Sequence, residues 1–517
     1  MKILLVYISG ETDRRDPYIT LLPTGLCSLH AVLREAGFDA ILANFSGWSR
    51  DRINRQVTEL KPDVVGISQW THNRHASFEL ARVVRAVAPK SFIVFGGAHA
   101  TFSYLDLLFI DSPVDCIVLG EGEETLLEVV RRLEQGKGLF DVPGIALLSD
   151  GEVVVTAART LLKSLDVLPI AVSYLEHSVG VDTQLQAEFI ITTRGCPSAC
   201  YFCSSPKFWS RKARFRSPGN IVHEIECIRD RYGLIYFSIR DDTFTVDRAR
   251  TLEFCRTLID RHIRIVWNCQ SRVTTLDEEL LVWMKRAGCE CIQLGVESGS
   301  QRVLKQLNKS ITTDQVEAAA ALIRKVGINL SIYLITDIPG ETEEDIRQSI
   351  SLVRKIRPDD GYVSPLAYFP GTRLFDDAVD AGTVGRDVFT KCSDSAVFAQ
   401  PRLSGSSNRI LTTLGQATQV NIKRFQEQKR LLGFCFVTNV LTGEYFRSNS
   451  DYVAAENEFR EIAEREPDNP WGWYLLAELY AETGRFNKAE ECYRAVCTLV
   501  PHHEPSLRAL KAKKKRG

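Results

Sequence analysis

The 517 residues carry no excess of charge: 64 lysines and arginines stand against 65 aspartates and glutamates, a formal net charge of −1. Without a global field, the composition does not point to nucleic acid or to an anionic membrane as partner. Nor is there an apolar run near the roughly 18 residues that a membrane-spanning helix needs. Residues 3–8 are six apolar residues ahead of Glu11, Asp13, Arg14 and Arg15. That stretch is too short for the apolar core of a secretory leader and reads as a first buried strand. The basic end, Lys511 to Arg516, reads as a solvated tail.

What the chain does have is cysteine, fourteen in all. Scattered through a long chain without a leader, they imply a reducing, cytoplasmic setting and not a disulfide framework. Three of them sit in Thr193-Arg194-Gly195-Cys196-Pro197-Ser198-Ala199-Cys200-Tyr201-Phe202-Cys203, directly after the apolar Phe189-Ile190-Ile191-Thr192. This is a CxxxCxxC loop leaving a strand. Three soft thiolates so close together can hold three irons of a cubane cluster, and the missing fourth cysteine leaves one iron open to an outside ligand. The alternative is zinc, but a structural zinc site wants four closed ligands, and no histidine lies between Glu188 and Ser217.

At this length two to four domains are expected. Residues 1–165 alternate short apolar runs with amphipathic helical patterns: strands at 3–8, 64–68, 93–95 and 116–119, helices at 26–36, 76–88 and 124–135. Such alternation predicts α/β architecture, a doubly wound parallel sheet that binds ligands at the carboxyl ends of its strands. Those ends carry turn-and-glycine segments: Pro23-Thr24-Gly25, Ser68-Gln69-Trp70-Thr71, Gly96-Gly97-Ala98-His99-Ala100-Thr101 and Gly120-Glu121-Gly122-Glu123. Any one of them is ordinary turn chemistry; four together upstream of the cysteine loop are more specific.

After a linker at 166–184, six strand candidates follow at 188–193, 234–240, 265–269, 291–296, 329–336 and 362–368, within a second α/β unit at 185–372. Ser217-Pro218 and Gly233 mark the start and stop of its first helix. The strand ends hold Asp241-Asp242-Thr243-Phe244, Asn268-Cys269-Gln270-Ser271-Arg272, Gly295-Val296-Glu297 and Pro339-Gly340-Glu341. Asp242 reads as an N-cap. Glu297 closes an apolar strand, where a carboxylate is costly unless partnered. Residues 373–435 read as a connector or cap containing Cys392 and Cys435. In 436–510 Ala455, Phe459 and Pro467 return 34 residues later as Ala489, Tyr493 and Pro501, the tetratricopeptide (TPR) spacing of paired helices, ahead of a basic tail at 511–517. With fewer than three full repeats, this tail is expected to pack on the preceding α/β unit or on a partner protein.

The cysteine spacing, with aromatic Phe202 before the last cysteine, resembles the radical S-adenosylmethionine (SAM) superfamily. The sheet ahead of it resembles the cobalamin-binding domain of one large class within that family, the class B methyltransferase type. The resemblance implies a Rossmann-like cobalamin-binding sheet at 1–165, a partial (β/α)6 barrel at 185–372, and a 4Fe-4S cluster on Cys196, Cys200 and Cys203 that cleaves SAM to a 5′-deoxyadenosyl radical. It implies SAM contacts from Phe202, Asp241, Arg272 and Glu297. It implies cobalamin contacts from Pro23, Thr24, Gly25, Ser68, Thr71, Gly96, Gly97, His99, Thr101, Gly120, Glu121, Gly122 and Glu123. Because residues 13–20 lack the histidine of the DxHxxG motif, cobalamin is expected base-off with no protein imidazole on cobalt, His99 lying beside the nucleotide tail. Asp337 departs from the family's usual glycine before Pro-Gly-Glu.

The resemblance implies a methyltransferase that moves methyl from SAM through cobalamin to an unactivated carbon of a small molecule, with an external electron donor of the flavodoxin or ferredoxin type. A cobalamin-dependent cyclase without methyl transfer is the alternative. A methylthiotransferase would need three upstream cysteines, and only Cys27 and Cys116 are there. A non-catalytic cluster sensor or scaffold would leave the triad and Glu297 without purpose. Trp209, Phe208 and Phe244 suit an apolar or aromatic substrate.

Overall fold

The central strand of the first sheet, β1 (Lys2–Tyr7), is apolar on both faces because both faces are covered, and Ile3, Leu5 and Val6 have no exposed surface. The computed structural model describes residues 1–10, 21–391, 393–399, 405–417 and 422–514. The stretch 13–20, Cys392 and the last three residues of the basic tail lie outside it. The chain forms two units, one of Met1–Gln186, Gly195–Arg214 and Ala367–Phe398, the other of Ala187–Arg194, Phe215–Leu366 and Ala399–Gly517.

In the first unit β1 pairs in parallel with β2 (Asp39–Asn44) on one side and β3 (Val64–Ser68) on the other. β4 (Phe92–Gly96) and β5 (Cys116–Val118) extend the parallel order. A hairpin of β6 (Ile145–Ser149) and β7 (Glu152–Val155) then closes that edge antiparallel. The expected linker at 166–184 is not a linker throughout: its β8 (Ser178–Val179) pairs with β2 at the opposite edge. A two-residue strand carries too little periodicity to be read from sequence. The eight-stranded order β7-β6-β5-β4-β3-β1-β2-β8 reverses direction between β1 and β3, which makes that crevice the switch point.

The second unit is built on six parallel strands in the order β16-β15-β14-β13-β12-β9: β9 (Phe189–Ile190), β12 (Tyr236–Ile239), β13 (Val266–Ser271), β14 (Cys289–Glu297), β15 (Asn329–Thr336) and β16 (Asp360–Pro365). Two short strands, β10 (Thr193–Arg194) and β11 (Arg214–Phe215), flank the cysteine loop. Helix Pro218–Tyr232 starts and stops as its sequence demands. Ser217 caps its N-terminus by accepting from the Asn220 amide, and Gly233 ends it at φ 68°. Phe237, Trp267, Ile292, Leu294 and Ile332 point outward beneath the helices, and Phe244 and Phe254 pack edge-on against Trp267. Phe244 is therefore core and not a substrate-facing residue.

The helical tail closes the N-terminal end of this barrel. Val266, the first residue of β13, lies in one apolar cluster with Phe436, Phe459, Leu475 and Tyr493, and Arg264 pairs with Glu466 at 3.2 Å. Cys435, at the end of the connector, is buried here and donates to the Lys285 carbonyl, which makes it a packing residue. Lys285 is itself fully buried, with its ammonium on the Gly327 carbonyl at 2.6 Å. Within residues 399–435, helix Ser406–Ala417 covers the free edge strand β16, and the Ser407 and Thr336 hydroxyls meet at 2.7 Å.

Candidate cofactor and active site

The cysteine loop begins on an anchored strand. Asp241 is 1% exposed and its carboxylate accepts from the Thr192 amide at 2.6 Å, the Thr193 amide at 2.9 Å and the Thr192 hydroxyl. Burial pushes its pKa up and the Thr192 bonds and Arg250 oppose that shift. The sequence reading set Asp241 against SAM; in the structure it holds the chain that enters the loop. Gly195 then turns at φ +88°, and a Cβ there would lie 2.2 Å from the Lys212 carbonyl oxygen, so only glycine closes the loop. Cys200 is buried, Cys196 and Cys203 are half-buried, and none is in a disulfide. The Tyr201 carbonyl accepts from the Leu374 amide at 2.9 Å, and Arg373 lies 4.8 Å over the Tyr201 ring. Half-buried Phe202 follows, and Phe208 meets Phe102 edge-on.

Three thiols on one pinned loop fit a cubane cluster. Among the described residues no three His, Cys, Asp or Glu side chains surround a single ion. A cubane does not require that, because each thiolate takes its own iron.

At the carboxyl ends of the barrel strands, Glu297 is 7% exposed at φ +67° and its Oε1 meets the Lys309 ammonium at 2.7 Å. The partner that its burial demanded is thus a protein cation. Asp337 sits at φ +58°, which explains why glycine suits this position and why aspartate is tolerated there. Its amide donates to Glu341 at 2.8 Å, and burial raises the Glu341 carboxyl to about 7. Arg272 precedes the short helix Val273–Thr275 and is half-buried. Inside the barrel the side chains are polar. Arg240 and the Tyr333 hydroxyl both donate to the Gln293 carbonyl oxygen, at 3.2 and 3.0 Å. Nearer the closed end, Ser238, Asn268, Tyr236 and Glu290 form a hydrogen-bonded chain.

In the first unit the predicted segments gather at the carboxyl edge of the sheet. Pro23 precedes helix Thr24–Glu35, Ser68 ends β3, and Gly122 and Glu123 open helix Glu123–Glu134. Gly97 stands at φ +99°, and a Cβ there would lie 2.5 Å from the Gln69 carbonyl oxygen. Only glycine lets the chain leaving β4 pack this closely on the backbone that follows β3. The Thr101 hydroxyl accepts from the Gly120 amide at 3.0 Å and ties two of the segments together. Two of these residues already have partners within the protein. The His99 Nδ1 is 3.1 Å from the Thr71 hydroxyl, the Phe389 ring packs edge-on against the imidazole, and burial lowers its pKa to about 3. Glu121 is spent on Arg214 and on the Leu162 amide, on the wall of a cavity of about 250 Å³.

Sequence reasoning missed three contacts. The Tyr7 hydroxyl meets His72 Nε2 at 2.8 Å across the switch point, and burial, helped by Asp394, raises the Tyr7 pKa to about 12. Lys309 was unforeseen as the Glu297 partner, and the Arg240–Gln293–Tyr333 group was read as plain strand.

Comparison with known proteins agrees with this geometry. The Radical SAM superfamily model matches residues 190–353, the B12 binding domain model residues 18–130, and a tetratricopeptide repeat model residues 446–514. The anaerobic magnesium-protoporphyrin IX monomethyl ester cyclase of Rubrivivax gelatinosus is 31% identical over 391 residues, 74% of this chain and 70% of that protein. An uncharacterized methyltransferase of Pyrococcus horikoshii is 30% identical over 386 residues, 73% of this chain and 83% of that one. In fold, the chain is similar to the radical SAM methyltransferase TsrM from Kitasatospora setae, solved with cobalamin and a 4Fe-4S cluster bound (TM-score 0.63, 18% identity, 75% of this chain and 79% of that one). With the triad on its anchored loop, the glycine-lined sheet edge and relatives over most of its length, the chain belongs to the cobalamin-binding radical SAM family: an enzyme with a 4Fe-4S cluster, SAM and cobalamin as its cofactors, and a tetratricopeptide tail.

Proposed function

We propose that this enzyme is a methyltransferase that moves a methyl group from SAM, by way of cobalamin, to an unactivated carbon of a small molecule. The observation that carries the reading is the joining, in one chain, of a cysteine-triad barrel to a B12-binding sheet, together with curated methyltransferases among its relatives. When bound, the cluster with SAM supplies a carbon-centred radical and the corrin supplies the methyl group. The chain's own residues do the rest. Cys196, Cys200 and Cys203 hold the cluster, and Asp241, through Thr192 and Thr193, fixes the strand from which their loop leaves. Phe202, Arg272 and Glu297 contact SAM, with Lys309 holding the Glu297 carboxylate in place.

Ser68, Gly96, Gly97, Thr101 and the Pro23-Thr24-Gly25 and Gly120-to-Glu123 turns receive cobalamin, base-off and without a protein imidazole on cobalt. Thr71 and His99 act as one hydrogen-bonded unit beside its tail. Reduction comes from an external donor of the flavodoxin or ferredoxin type in a reducing, cytoplasmic compartment, a setting in keeping with described cysteines that form no disulfide. The helical tail offers its outer helices to a protein partner.

A second reading, cyclisation or rearrangement without methyl transfer, is favoured by the three cyclases among the curated relatives. Anaerobic turnover with SAM and substrate separates the two. Equal amounts of S-adenosylhomocysteine and 5′-deoxyadenosine support methyl transfer; deoxyadenosine without S-adenosylhomocysteine overturns it in favour of the second reading.

A further inference from the structure

Among the described residues, the barrel interior holds a cation that forms no ion pair with a protein carboxylate. Arg240 follows β12, where the outward neighbours Phe237 and Ile239 are buried at 0% and 1% exposure, so by alternation its own side chain turns inward. Its Nη1 reaches Gln293 on β14 past the intervening β13, a contact that only the interior face allows. Three other half-buried guanidinium groups of this unit meet carboxylates, Arg216 that of Glu224, Arg264 that of Glu466 and Arg424 that of Asp359, and Arg324 donates to backbone carbonyls. Arg240 has a neutral amide oxygen and the face of Phe189 at 5.3 Å. Among the described residues it forms no ion pair. Glu188 is near enough to feel its charge, and Arg240 opposes the rise that burial causes in the Glu188 carboxyl, but the two form no ion pair.

The group around Arg240 consists of donors. A guanidinium only donates, and Tyr333 donates too, so the Gln293 carbonyl faces both and its amide N–H groups are turned away from them. Gln270 sits beside Gln293 in the strand register. Two tyrosines form the adjoining wall, Tyr333 and Tyr362 with ring centroids 6.2 Å apart, and Tyr362 is 62% exposed although it stands on a barrel strand. β16 is the edge strand, so this wall is open to solvent, unlike the wall of a closed eight-stranded barrel.

From this we infer that the substrate is a flat, conjugated or aromatic carboxylic acid whose carboxylate is bound by Arg240 and the Gln293 amide, with its ring against Tyr333 and Tyr362. One guanidinium presents a planar fork that matches one carboxylate, and its single charge balances a single negative charge where a phosphate dianion would leave an excess. The inference rests on reading the barrel as the substrate chamber of the proposed methyltransferase.

The test uses the full chain, reconstituted anaerobically, and the matched probes 2-naphthoate and 2-naphthamide, with affinities read by ligand-observed NMR. The naphthoate is expected to bind the wild type about tenfold more tightly than the amide. Arg240→Gln should erase that gap, and Arg240→Lys, which keeps the charge but loses the fork, should narrow it. Equal affinity of the two probes in the wild type, or a gap untouched by both variants, overturns the inference. So does loss of the SAM-induced change in the cluster EPR spectrum in Arg240→Gln, which would place Arg240 on SAM instead. Probe binding needs no turnover, so a failed carboxylate site and a failed methyl transfer are told apart.

Discussion

The two parallel sheets of this molecule differ most in what their strands do with their second face. In β3 of the first sheet every residue from Val64 to Ser68 is buried, whereas β15 of the barrel alternates, with Leu330, Ile332 and Leu334 buried and Asn329, Tyr333 and Ile335 partly open. A sheet covered on both faces has room for a ligand only at its strand ends, which is where the Gly96-Gly97 cradle, Thr71 and His99 lie. A sheet curled into a partial barrel offers its interior as well, and its polar interior side chains form the Arg240–Gln293–Tyr333 group. The same strand-helix grammar thus produces one site on an edge and one in a hollow.

The largest expected effect falls on the cysteine loop. Cys200→Ala should abolish reductive SAM cleavage and reduce cluster iron to background while cobalamin retention stays near that of the wild type. Parallel loss of corrin would mean that the two regions are not independent.

Next comes the buried pair at the barrel mouth. Glu297→Ala leaves Lys309 buried without its carboxylate and should cost about 3–5 kcal/mol, read as a lower denaturant midpoint. Replacing both partners by apolar residues should recover most of that loss, and failure to recover it would assign Glu297 a fold role beyond the pair.

On the sheet edge, Gly97→Ala forces a Cβ to 2.5 Å from the Gln69 carbonyl oxygen at a φ of +99°. A cost of about 1–3 kcal/mol is expected, with weaker cobalamin retention and unchanged iron content. An effect on iron would break the comparison.

The smallest effect is a pH dependence in the barrel. Glu341 titrates at about 7 when folded, against 4.5 ordinarily, so the folded chain keeps a proton that the unfolded chain releases. Its stabilising share is complete below about pH 4.5 and is lost as pH rises through about 7. Across that window the wild type should lose on the order of 1–2 kcal/mol relative to Glu341→Gln. Parallel stability curves for the two would show that the Glu341 carboxyl is not raised.

Much of this was legible in the residues because it is local. The CxxxCxxC loop, the Ser217-Pro218 start and Gly233 stop of one helix, and the six barrel strands all depend on neighbours within a few positions. The unusual Asp337 was noticed as a departure from glycine, and the positive φ supplies the reason. What escaped depends on distance in the chain. Tyr7 and His72 are 65 residues apart and Arg240 and Gln293 are 53 apart. The resemblance makes Asp241 a SAM contact, but its oxygens are used on Thr192 and Thr193, 49 and 48 residues earlier. Phe244 suits an apolar substrate by its residue type, and the outward packing of Phe254 and Trp267 claims it for the core.

The account turns on two cofactors held by one chain. Anaerobic reconstitution followed by an iron and cobalamin count tests it most directly. About four irons and one corrin per chain are predicted; iron without corrin would contradict the account and leave a radical SAM enzyme that does not use its sheet.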